Sequence, residues 1–342
     1  MKRIVLLLLA ATAVFASCKE NSTSLPRARA GKSVEAAVDA FVEATATRPE
    51  APDHITLHSV MLLKHGKVIA ERWLNGADPQ TPHVMHSVSK TFIAAAAGYA
   101  VAEGLLDVDD KVISFFPDKL PEEVSDNLAA MTVRDLLTMT GGQRREPSGV
   151  REGDADWVEG FLAAPVEYEP GTFFAYNSLG TYMVSAIIQK VTGEKVVDYL
   201  DSRLFQPLGI EKPLWEESPQ GINCGGWGLY IKTEDMAKMG QLLLDGGKWK
   251  GAQVLPADWV DEMTRYQVST ARPHDKRADW TQGYAYFMWR CTNDGVRADG
   301  SEGQYIIVLP KLDAVMVLTT DSTLYQPYLD IVWEFLLPVL QK

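Results

Sequence analysis

The chain has 342 residues, 46% of them hydrophobic and 23% charged. That is a globular composition, long enough for a large core in one domain or two interleaved ones. The net charge is −12 and the pI about 5.0, and no Lys/Arg cluster marks a nucleic-acid footprint, so that class is excluded.

Lys2 and Arg3 precede an apolar run from Ile4 to Ala16. The run is short for a spanning helix and fits the apolar core of a secretory signal. Phe15-Ala16-Ser17-Cys18 resembles a bacterial lipobox, in which Cys18 is lipidated after cleavage. Phe15 stands where Leu is usual, and ordinary cleavage near Ala16 is the alternative. Either reading sends the chain to the periplasm or cell envelope. Residues 1–17 are thus expected as a signal peptide and 18–32 as a flexible tether. Cys224 and Cys291 are expected as two separate buried thiols rather than a pair.

The first amphipathic helix is expected over Ser33–Thr47, from Val34, Ala37, Val38, Phe41 and Val42. Ser59–Lys64 and Lys67–Trp73 read as a hairpin joined by His65-Gly66. An Ala-rich helix follows and ends at Gly104. Thr132 caps a short helix with Asp135 at its third position, and Gly141 ends it. Residues 143–156 read as an exposed loop. Leu179–Val191 is a long helix stopped by Gly193, and Val196–Leu204 a shorter one. Helices are also expected near Asp235–Leu244, capped by Thr233, and from Pro256 to Thr264. Tyr284–Cys291, Gly303–Leu309 and Ala314–Thr320 read as strands. A last helix covers about Tyr325–Leu340, disturbed by Pro338. This order implies an antiparallel sheet built from both chain ends around a mostly helical insertion.

Ser87 sits at the start of the Ala-rich helix, and Lys90 falls one turn on along the same face. A hydroxyl near a helix N-terminus beside an amine of lowered pKa is an activatable nucleophile. By itself the pair equally describes a capping Ser and a solvated Lys.

Taken together, the motifs resemble the penicillin-recognising serine hydrolases: class C β-lactamases, D,D-peptidases and related esterases. Ser87-Val88-Ser89-Lys90 matches their Ser-x-x-Lys element. Thr132-Val133-Arg134-Asp135-Leu136-Leu137-Thr138-Met139-Thr140-Gly141-Gly142 matches a further hallmark, and Pro170-Gly171 through Tyr176 the second active-site region. Gly226-Trp227-Gly228-Leu229 and Leu255-Pro256-Ala257-Asp258-Trp259-Val260 match later framework. The resemblance covers roughly residues 34–335. It implies an α/β (α+β) fold of the β-lactamase/transpeptidase type, an antiparallel sheet flanked by helices plus a mostly helical inserted domain. The sheet domain would take 33–85 and 221–342, the helical one 86–220.

The resemblance also implies a mechanism and no cofactor. Ser87 would form an acyl-enzyme on a small-molecule or peptide-like ester or amide. Lys90 and Tyr176 would move its proton. The oxyanion hole would use the Ser87 backbone N–H and one from a sheet strand. Two elements depart from the pattern. Tyr176-Asn177-Ser178 puts Ser178 where the family carries Asn. Ala298-Asp299-Gly300-Ser301 lacks the usual cation, with Gly300 and Ser301 left as substrate-binding positions and Ser301 as the oxyanion donor. A neutral or cationic substrate is therefore expected in place of a β-lactam. The alternative on the same fold is a non-catalytic ligand-binding lipoprotein.

His54 and His58 lie four apart without a Glu to complete a zinc helix motif, so no metal site is expected. The absence of Gly-x-Ser-x-Gly disfavours an α/β-hydrolase.

Overall fold

The computed structural model describes residues 23–48, 54–153, 155–272 and 274–342. The signal segment and Cys18 lie outside the described residues. In chain order the strands are β1 (Ile55–Lys64), β2 (Lys67–Trp73), β3 (His83–Val84), β4 (Leu214–Trp215), β5 (Leu229–Ile231), β6 (Lys248–Trp249), β7 (Ala252–Gln253), β8 (Trp289–Arg290), β9 (Val296–Gly300), β10 (Gln304–Leu309) and β11 (Ala314–Ser322). The helices are α1 (Lys32–Thr47), α2 (Ser89–Ala102), α3 (Asp126–Ala130), α4 (Val133–Leu137), α5 (Trp157–Ala163), α6 (Ser178–Thr192), α7 (Val196–Leu200), α8 (Gln206–Leu208), α9 (Thr233–Leu244), α10 (Ala257–Thr264), α11 (Gln326–Phe335) and α12 (Leu337–Leu340).

A six-stranded sheet runs β2-β1-β11-β10-β9-β8, and its pairs are antiparallel. Alternation along β10 sends successive side chains to opposite faces. Ile306 points toward α9, where Gly240 leaves no room for a Cβ, which would lie 2.8 Å from the Ile306 methyl. Tyr305 points the other way and stacks on Tyr328 of α11 at 5.7 Å, and Tyr328 in turn meets Phe41 of α1. Helices therefore cover both faces, and the middle strands are buried on both sides, as β10 is throughout.

The second body of structure is built on α2. Its residues from Ser89 to Ala100 are all buried, so the helix has no polar face and must lie in the middle of the protein. It packs against α6, and Trp259 of α10 donates from Nε1 to the Ala94 carbonyl at 2.9 Å. A Cβ on Gly98 would come within 2.3 Å of the same indole, so only glycine admits this crossing. The Ala run is what lets neighbours approach α2 so closely.

The chain differs from its sequence reading in several places. The expected tether over 18–32 is docked from residue 23 onward: Leu25 is buried, Ala28 N–H donates to Val68 O at 2.8 Å, and Arg27 pairs with Glu71 and Glu234. Its polar composition hid an apolar Leu25 and a guanidinium with two carboxylate partners. The strand expected over Tyr284–Cys291 is mostly a turn, with positive φ at Gly283 and Phe287, and only Trp289–Arg290 pair as β8. Helix α4 keeps its Thr132/Asp135 capping box but stops at Leu137, before Gly141. Thr233 is the first residue of α9, with Lys232 as its cap, and its hydroxyl bonds Ser59 Oγ at 2.7 Å instead. The last helix divides at Leu336, where Pro338 begins a new turn. Helix α5 follows the loop expected over 143–156, and Asp156 caps it. Cys224 and Cys291 are free and buried, as expected.

Candidate active site

Ser87 lies in a single 3-10 turn, His86–Val88, directly ahead of α2. His86 is held at φ 44°, a left-handed conformation that a non-glycine residue adopts at a cost. The turn is fixed from below. Met85 N–H donates to Leu229 O of β5 at 2.8 Å, and Ser89 Oγ accepts from Leu229 N–H at 3.3 Å. From the side, β9 closes against it: a Cβ on Gly300 would lie 2.5 Å from Met85 O. That glycine lets the sheet edge reach the Ser87 turn.

Lys90, one turn along, is 1% exposed. Its Nζ stands 2.9 Å from Ser87 Oγ and donates to Gly226 O at 2.7 Å. Burial lowers its ammonium from 10.5 to about 7, against the opposing charges of Glu146 and Asp299. The amine also lies 4.9 Å from the centre of the Tyr176 ring. The Tyr176 hydroxyl faces Ser87, yet burial holds its phenol well above the ordinary value. Ser87, Lys90 and Tyr176 thus meet at one point, although Lys90 and Tyr176 lie 86 positions apart in sequence.

This cluster opens into a cleft of about 290 Å³. Its walls are aromatic: Tyr176 stacks on Trp289 at 5.9 Å, and Phe174, Trp280 and Tyr325 continue the lining. Ser301, at the end of β9, lines the cleft opposite Tyr176 together with Asp299. Arg297 and Asp299 lie on the same side of β9, two residues apart, and pair at 2.9 Å. Arg297 is fully buried beneath Trp280, 4.4 Å from its ring. Burial raises the Asp299 carboxyl above its ordinary value, against the pull of Arg297. At the rim Asp275 and Arg277 form a second pair at 2.7 Å, and Arg272 donates to Phe174 O at 3.1 Å.

The sequence-predicted residues divide in two. Ser87, Tyr176 and Ser301 line the cleft, with Lys90 behind them. Ser178 and Gly300 do not line it. Ser178 opens α6; its N–H donates to Glu146 Oε2 at 2.7 Å and its backbone packs on Gly226. Asn177, one residue earlier, caps α6 through Gly180 N–H and donates to Gln143 at 2.6 Å. Ser178, which stands at the family's Asn position and would be expected to bind substrate there, is instead taken up by the start of α6. Gly300 acts as a spacer between strand and turn. Trp280, Trp289, Arg272 and Arg277 were missed. They come from a loop and a two-residue strand with no period to reveal them.

A beta-lactamase family model matches residues 42–339. The chain is 26% identical over 279 residues to the 6-aminohexanoate-dimer hydrolase of Paenarthrobacter ureafaciens, covering 75% of this chain and 70% of that one. It is 26% identical over 175 residues to the esterase EstB of Burkholderia gladioli, covering 44% of each. Among solved structures, EstCE1, a hydrolase with promiscuous acyltransferase activity, superposes with a TM-score of 0.72 at 18% identity over 88% of this chain and 98% of that one. With the match spanning nearly all of the described sheet and helices, the chain belongs to the beta-lactamase family and has its hydrolase fold.

Proposed function

We propose that the protein is an exported serine hydrolase that cleaves a small ester or amide through an acyl-enzyme on Ser87. One observation carries this reading: the Lys90 amine, buried and lowered to about 7, stands 2.9 Å from Ser87 Oγ at the base of an open cleft. A neutral amine has a lone pair. In its neutral form the amine accepts from the Ser87 hydroxyl, while its own N–H remains on Gly226 O. Lys90 is then the base that takes the Ser87 proton as its oxygen attacks the substrate carbonyl. Tyr176 stays a neutral phenol, since burial opposes its ionisation. It serves as a relay, handing a proton from the Ser87–Lys90 pair to the leaving group. The Ser87 and Ser301 backbone N–H groups face the developing oxyanion. Water then attacks the acyl-enzyme, with Lys90 again accepting a proton.

The cleft suits an uncharged acyl group. Its walls are aromatic, and both of its lining carboxylates already hold an arginine. The cation that would meet a β-lactam carboxylate from β9 is replaced by Ala298, which is buried. The esterase EstB and the 6-aminohexanoate-dimer hydrolase among its relatives support the same substrate classes. Comparing kcat/KM on p-nitrophenyl acetate and on nitrocefin tests this, with Ser87→Ala beside each. Preference for the ester with loss in Ser87→Ala is expected; a strong preference for nitrocefin contradicts the substrate assignment. Export and lipidation at Cys18 rest on the N-terminal sequence, and palmitate labelling lost in Cys18→Ala checks them.

A further inference from the structure

Behind the nucleophile turn, three side chains from three strands converge. His58 comes from β1, His83 from β3 and Asp321 from β11. Each offers one ligand atom, and these atoms all lie within 4.8 Å of one another. His58 Nε2 is 3.1 Å from Asp321 Oδ2. The two imidazole rings are 5.1 Å apart.

The backbone is shaped to bring them together. The β1/β11 register shifts between Leu57 and Ser59, so His58 is the extra residue of a β-bulge. A bulge re-aims the side chain it carries, here toward the end of β11. His83 is held in place by pairing with Ile231 of β5. Its Nε2 is buried and has no hydrogen-bond partner among the described residues. A buried ring nitrogen without a partner is costly, and a metal ion would satisfy it. His54, the other histidine near His58, is directed elsewhere and bonds Thr323 Oγ1 at 2.9 Å.

We propose that His58, His83 and Asp321 form a binding site for a zinc-class divalent cation. Two imidazoles and one carboxylate are the donor set such borderline ions take, with bonds of about 2.0–2.2 Å in a tetrahedral arrangement. Tetrahedral bonds of that length set ligand atoms about 3.3 Å apart. The His58–Asp321 separation is already near that spacing, and the His83 ligand atom, within 4.8 Å of both, would have to draw in to complete the set. Asp321 is exposed, so the fourth position opens to water. The ion would tie β3 to the neighbouring ends of β1 and β11. Because β3 runs into the Ser87 turn, the site is a clamp on the approach to the nucleophile rather than part of the chemistry.

The test uses untagged full-length protein, stripped with chelator and titrated with Zn(II) by calorimetry and with Co(II) by visible absorption. One ion per chain is expected, with a Co(II) spectrum of low coordination number and a rise in Tm on Zn(II). His83→Gln and Asp321→Asn should each weaken binding roughly 100-fold or more, while His54→Gln and Ser87→Ala bind as wild type. Asp321 is exposed, so Asp321→Asn keeps the fold, and far-UV circular dichroism checks this. No saturable binding, or binding unchanged in both His83→Gln and Asp321→Asn, would overturn the site and leave a His58–Asp321 ion pair beside His83.

Discussion

Lys90 Nζ stands 2.9 Å from Ser87 Oγ while the lysine side chain is almost wholly enclosed. The proximity follows from a single helical turn, and the enclosure from α2 lying at the centre of the protein. Only the second makes the amine a base near neutral pH.

The first consequence is a pH profile. The base acts unprotonated, so kcat/KM should fall as pH drops through about 7, where the Lys90 amine gains its proton. Lys90→Met should lower kcat/KM by roughly 10²–10⁴-fold and remove that limb. A Lys90→Met enzyme with the wild-type profile would assign the ionisation to another group.

The same burial bears on stability. An unfolded lysine titrates at 10.5 and the folded Lys90 at about 7, so between these values the unfolded chain binds more protons. Stability from this group therefore rises with pH across that window, by up to about 1.4 kcal/mol per unit. Lys90→Met lacks the term. Its stability relative to wild type should be greatest near the lower end and shrink toward pH 10, as denaturant melts at several pH values will read.

Tyr176 has two parts to its role, a hydroxyl facing Ser87 and a ring on Trp289. Tyr176→Phe removes only the first. Steady-state assays should show kcat/KM reduced by about 10²-fold or more with Tm nearly unchanged. Equal losses in activity and Tm would mean that the hydroxyl is structural.

Gly300→Ala would place a Cβ 2.5 Å from Met85 O, although the backbone itself suits alanine with φ −115°. The strand must retreat from the nucleophile turn. A cost of about 1–3 kcal/mol and a marked fall in kcat are expected. Ser301→Ala, which keeps its backbone N–H, should retain most of the activity in the same assay.

Asp279 organises the far wall of the cleft. Its side chain accepts from Thr292 N–H, Gln326 and Trp333, and its carbonyl accepts from Arg297. Burial disfavours its charge, but these donors outweigh it and hold the carboxyl below the ordinary value of 3.8. Its contribution is thus complete above that value and is lost as pH falls below it. Asp279→Ala should cost about 3 kcal/mol or more at neutral pH and less in acid, measured by urea unfolding.

Much of the architecture was legible in the sequence because it rests on local signals. The Thr132/Asp135 capping box, the Gly193 stop and the His65-Gly66 hairpin all stand where spacing put them. The Ala run predicted a helix, and the structure adds that it is buried from Ser89 to Ala100. What stayed hidden was long-range. The wall residues Trp280 and Trp289 sit in segments of three and two residues, too short to carry a period. His83 gains meaning only when a bulge turns His58 toward Asp321. Ser178 misled because its place in a motif said nothing of the helix start that claims it. The N-terminal arm misled because one leucine and one arginine outweigh a polar composition.

The most direct test of the central claim is intact-mass spectrometry of enzyme quenched during turnover of p-nitrophenyl acetate. The mechanism predicts an acetyl adduct that maps to the peptide containing Ser87, decays as substrate is exhausted, and is absent from Ser87→Ala. Turnover without any adduct, or an equal adduct on Ser87→Ala, would contradict it.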